Sequence, residues 1–66
     1  MNITVNGNQQ NCPSDTNIYQ LLTILSMQDK RIAIEINKEV IPKGAFGSHM
    51  LNDGDIVELI QAIGGG

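Results

Sequence analysis

The amino-acid sequence predicts an α+β domain in which one helix lies across one face of a mixed β-sheet. Three observations carry that expectation. Apolar residues alternate on either side of the middle of the chain, with Ile3 and Val5 before it and Ile32, Ile34 and Ile36 after it, as half-buried strands require. Between them Ile18, Leu21, Leu22 and Leu25 stand at the i, i+3, i+4, i+7 spacing of one buried helical stripe. At 66 residues there is room for one small core, because a domain of this size buries only about 60% of its unfolded surface.

The first strand spans Met1 to Val5, with Asn2 and Thr4 opposite the Ile3 and Val5 face. Asn6-Gly7 then supplies the dipeptide that type I′ hairpin turns prefer. A more polar strand returns through Asn8 to Cys12, and its Gln9, Gln10 and Asn11 suit the edge of a sheet. Pro13 and Ser14-Asp15-Thr16 break the extended run. The helix opens at Asn17, a good N-cap, and Gln20 three residues later completes a capping box in which each side chain reaches the other's backbone N–H. It is expected to fade between Met27 and Lys30, placing Lys30 and Arg31 at the negative end of the helix dipole.

Ile32 to Asn37 forms the next strand, Asn37-Lys38-Glu39 turns, and Val40-Ile41 is a short strand stopped by Pro42. Lys43 to Ser48 reads as a helical turn or loop that returns Phe46 to the core. Asn52-Asp53-Gly54-Asp55 is a turn whose Asp side chains bond nearby N–H groups and whose Gly54 can take positive φ. Ile56 to Ile60 is the last strand. With Glu58 toward solvent, Val57 and Leu59 face the core, and Ile56 and Ile60 lie on the open face of the sheet. A hairpin followed by a helical crossover is compatible with a right-handed return that sets a later strand parallel to the first. If the last strand is that partner, the residues after it leave from a rigid, central support. The expected organisation is a domain over 1–61 and a flexible C-terminal tail over 62–66.

Composition excludes several function classes. The net charge is -3 and only four residues are Lys or Arg, too few for the basic footprint that nucleic acid demands. The apolar fraction of 41% suits a globular fold, and no apolar run approaches membrane-spanning length. Cys12 is the only cysteine, so no intramolecular disulfide forms, and with no basic and apolar leader segment the expected location is cytoplasmic.

Catalytic candidates are few. Cys12 and His49 are each solitary and read as a small core filler and a loop residue. Asp53 and Asp55 flank Gly54 without the ligand series of a calcium loop, and no His, Cys and carboxylate group has metal-site spacing. No Gly-rich loop leads from a strand into a helix, as phosphate binding requires. A chain this small also has little space for a substrate cavity beside its core, which weighs against an enzyme.

The remaining feature is Ala62-Ile63-Gly64-Gly65-Gly66. Three glycines in a row can lie extended in a slot too narrow for side chains, and five extended residues would reach roughly 17 Å, enough for a terminal carboxylate to enter another protein's active site. Ile60 and Ile63 form an apolar patch beside this arm and are candidate partner-docking residues.

Over its whole length the chain resembles the ThiS family of ubiquitin-like sulfur-carrier proteins of thiamine biosynthesis. The residues that carry the resemblance are Asn6, Leu21-Leu22 with Leu25, Ala33-Ile34-Glu35-Ile36-Asn37 with Val40-Ile41-Pro42, Phe46, Asp53-Gly54-Asp55, Val57-Glu58-Leu59 and the terminal Gly65-Gly66. Their order and spacing, together with Gly-Gly at the chain end, make the likeness specific. The resemblance implies a β-grasp fold and a carrier that is acted on by enzymes without being one. It implies that Gly66 carries the reacting group, first as an acyl-adenylate and then as a thiocarboxylate, while Gly65 and Gly64 give steric access. A ubiquitin-activating-type adenylyltransferase (ThiF-like) would use ATP with Mg, a cysteine desulfurase system would supply sulfur, and a thiazole synthase (ThiG-like) would receive it. No cofactor, metal, nucleic acid or membrane is implied for the carrier itself. A molybdopterin-synthase small-subunit-like carrier, a ubiquitin-like modifier and a plain interaction module are the competing readings.

Overall fold

A computed structural model of the chain describes residues 1–61. The elements are β1 (Asn2–Val5), β2 (Asn8–Asn11), α1 (Ile18–Ile24), β3 (Ile32–Ile36), β4 (Glu39–Ile41), a short 3₁₀ turn (Lys43–Ala45) and β5 (Ile56–Gln61). The five strands form one mixed sheet in the order β2-β1-β5-β3-β4. β1 and β5 run parallel with Thr4 opposite Ile56, and the other neighbouring pairs are antiparallel. The last strand is therefore the centre of the sheet.

Two hairpins flank it, closed by turns of one kind. Asn6 and Gly7 have φ of 49° and 83°, and Asn37 and Lys38 have φ of 52° and 72°. Positive φ at both central residues is what a type I′ turn needs, because its twist then matches that of the strands. β2 is an edge strand, as its polar composition suggests.

The inner face of the sheet presents Ile3, Val5, Ile34, Ile36, Ile41, Val57 and Leu59, all buried. Against it α1 buries Ile18, Leu21 and Leu22, while Leu25 packs partly against the same cluster. Burying one such side chain fully contributes about 1.5–3 kcal/mol, so this stripe fixes the helix on the sheet. Phe46, returned by the 3₁₀ turn, is buried and meets Tyr19 edge to face at 5.7 Å between ring centroids. Cys12 and Leu51 complete the core from the loops.

The N-terminus of α1 is the expected capping box: Gln20 N donates to Asn17 Oδ1 at 2.8 Å, and Asn17 N donates to Gln20 Oε1 at 2.7 Å. The C-terminus differs from expectation. The helix stops at Ile24, and neither Lys30 nor Arg31 lies in its last turn. Ser26 N donates to Thr23 O and Met27 N to Leu22 O, with Ser26 at φ 59°, which is a Schellman motif closed without glycine. Met27 packs against the core from there, so the hydrophobic gain of that contact ends the helix early.

The turn before β5 also differs in one respect. Asp55 Oδ2 accepts from Asn52 N at 2.8 Å, a local bond, whereas Asp53 Oδ1 accepts from Asn2 N at 2.8 Å and ties the turn to the start of β1.

Candidate functional site

β5 is the element that carries the chain toward the glycines, and its backbone is held on both edges. On the β1 side the ladder proceeds through Thr4 N to Asp55 O and Asn6 N to Val57 O, and then β1 turns away. The Asn6 side chain replaces the missing strand: Leu59 N donates to Asn6 Oδ1 at 2.8 Å, and Asn6 Nδ2 donates to Leu59 O at 3.2 Å. At the other end Asn37 does the same for β3. Asn37 N donates to Ile56 O, Ile56 N donates to Asn37 Oδ1 at 2.9 Å, and Asn37 Nδ2 reaches the buried Asp55 at 3.0 Å. Each asparagine thus makes a turn with its backbone and pairs a strand with its side chain. The dipeptide Asn6-Gly7 announces the turn in the sequence, but the second task shows only once β5 is known to lie alongside.

The face of β5 away from the helix is uncovered. Ile56 is 53% exposed, Ile60 56% and, across β3, Val40 66%. Ile60 lies opposite Ala33, and Glu58 lies opposite Glu35. Of the expected docking residues, Ile60 stands on this face as read from the alternation, while Ile63 lies outside the described residues. Gly64, Gly65 and Gly66 also lie outside them.

Among the described residues no metal-binding group of His, Cys, Asp and Glu is assembled. Cys12 is buried in the core cluster, and its carbonyl accepts from the Met1 ammonium at 2.6 Å. His49 sits half-buried after the 3₁₀ turn, its N–H bonded to Ala45 O. Two surface depressions, one beside Pro13, Thr16 and Thr23 and one beside Asn6, Gln10 and Met27, contain neither Cys nor His.

A single helix laid across a mixed five-stranded sheet, with the first and last strands paired in parallel at its centre, defines the ubiquitin-like β-grasp class. The crystal structure of a thiamine biosynthesis protein, ThiS, from Geobacter metallireducens superposes with a TM-score of 0.85 at 36% identity, covering 100% of both chains. The sulfur carrier protein ThiS of Escherichia coli is 30% identical over 66 residues, again 100% of both. The thiazole synthase of Paramagnetospirillum magneticum is 33% identical over the whole of this chain, which spans 20% of that longer protein. The model of the ThiS family matches residues 3–66, and the chain belongs to that family.

Proposed function

We propose that this protein is a sulfur carrier of thiamine biosynthesis, a protein substrate whose C-terminal glycine carboxylate is converted to a thiocarboxylate and gives up its sulfur for thiazole formation. The observation that carries this reading is the family match, which runs through Gly66 itself. A carboxylate resists nucleophiles, so it must first gain a leaving group. Its oxygen attacks the α-phosphorus of ATP on a ubiquitin-activating-type adenylyltransferase, pyrophosphate departs, and an acyl-adenylate remains on Gly66. The terminal sulfur of a persulfide formed from cysteine by a desulfurase then attacks the acyl carbon and AMP leaves, and a second thiol cleaves the resulting acyl disulfide, releasing the Gly66 thiocarboxylate and a disulfide. Gly64 and Gly65 let the enzyme close around the arm without meeting a Cβ. Ile60, with Ile63, docks the activating enzyme beside the arm.

A thiazole synthase receives the sulfur. A region like this chain occurs within longer thiazole synthases, which supports carrier and acceptor working side by side. The test is high-resolution intact mass after incubation with the host's adenylyltransferase, ATP, Mg, cysteine and desulfurase, beside a chain lacking Gly66. Exchange of one oxygen for sulfur at Gly66, absent from the shortened chain, is the expected result. Resolution matters because methionine oxidation adds nearly the same mass. A chain that stays unmodified under active adenylation overturns the reading, and a higher-mass adduct on lysine replaces it with a protein modifier.

A further inference from the structure

The register places two carboxylates side by side in the middle of the uncovered face. Glu35 of β3 is directly opposite Glu58 of β5. Opposed residues of an antiparallel pair have Cβ atoms about 4.5–5.5 Å apart, and like charges so placed oppose sheet formation. Among the described residues neither acid has a cation directly opposite it across a strand, since Glu35 is paired with Glu58 on one side and with Val40 on the other. Ile60 and Ala33 form the adjacent cross-strand pair, Ile56 lies two residues back along β5, and Val40 of β4 stands directly opposite Glu35. The exposed side chains of Ile56, Ile60 and Val40 thus surround two acids that repel each other.

A face that only met water would be better served by one opposite charge here. We propose that Glu35 and Glu58 form an acidic seat for an arginine on the partner that docks against this face. The inference rests on the sulfur-carrier reading and names the chemistry by which the activating enzyme recognises the carrier. A guanidinium suits the seat because it is planar, weakly hydrated and offers five donors, enough to bridge two carboxylates while its stem and neighbours cover the isoleucines. The face includes β5, which ends at Gln61, five residues before Gly66 in the sequence, so the contact fixes which way the carrier is turned. A second copy of this chain would set four carboxylates together, and a nucleic acid or anionic lipid surface would be repelled.

The experiment measures calorimetric affinity for the host's activating enzyme, together with thermal unfolding, for the wild type, Glu35→Gln, Glu58→Gln and the double variant. Glutamine keeps the shape and both sites reach solvent, so folding is retained. Each single change is expected to raise the unfolding temperature and weaken binding about tenfold in low salt. The double variant should bind no more tightly than the singles, and its affinity should lose most of its salt dependence. A merely structural pair would gain stability without losing affinity, and that result overturns the seat. Wild-type affinity that ignores salt overturns it too, as does wild-type self-association through Ile60 in sedimentation. If the variants bind like the wild type and Gly66 still gains sulfur, the seat fails and the carrier reading stands. If Gly66 gains no sulfur under active adenylation, the carrier reading fails and the seat with it.

Discussion

At the scale of the residue, Asn6 has more to do than its place in a turn suggests. Its side chain satisfies both the N–H and the C=O of Leu59, a residue that is itself buried. An unpaired buried backbone group costs about 1–3 kcal/mol. Asn6→Ala leaves two such groups and puts a Cβ-bearing residue with no local hydrogen bond at φ 49°. The expected loss is about 2–4 kcal/mol, measured by urea unfolding. A domain of this length holds only ~3–10 kcal/mol in all, so the variant should be near its limit. Asn6→Gly, which removes the strain but not the lost bonds, should recover only part of the loss, and the Leu59 amide should exchange faster in both. The turn at Asn6-Gly7 is legible in the sequence because its φ requirement is local. The bond to Leu59 spans 53 residues and has no local signature.

At the scale of the element, the two ends of α1 show what a sequence does and does not disclose. The start was readable because Asn17 and Gln20 hold all the atoms of the capping box within one turn. The end was not, because the Schellman motif usually signals itself by glycine and here uses Ser26 in the left-handed region. The stop depends on Met27 finding the core, a tertiary event. Ser26→Gly should therefore stabilise the domain by about 0.5–1 kcal/mol, relieving the positive φ, and raise the melting temperature by roughly 2–8 °C in calorimetry. No gain would mean that Ser26 is not held in that conformation.

At the scale of the molecule, the strand faces followed directly from alternation: Val57 and Leu59 are buried, Ile56 and Ile60 exposed. Face assignment needs only a period of two. Register needs the partner strand as well, which is why Glu58 was legible as an outward residue while its opposition to Glu35 was not. Because Ile60 contributes to a surface and not to the core, Ile60→Ser should shift the melting temperature little. It should weaken binding to the proposed activating enzyme by about 1–2 kcal/mol, roughly 5- to 30-fold in Kd. Calorimetric titration checks this, and an unchanged affinity removes Ile60 from the interface.

The central place of β5 also governs when this molecule can become native. The hairpins β1–β2 and β3–β4 close from neighbouring residues, yet they share no edge; β5, latest in chain order, is the strand that joins them. During synthesis the two halves must wait, because long-range pairing cannot be completed before residues 56–61 have left the ribosome. A chain cut short before Ile56 leaves two orphaned hairpins for proteases to clear, and a two-stranded hairpin alone is marginal in water. The uncovered face with Ile56 and Ile60 therefore exists only on molecules whose translation has passed β5.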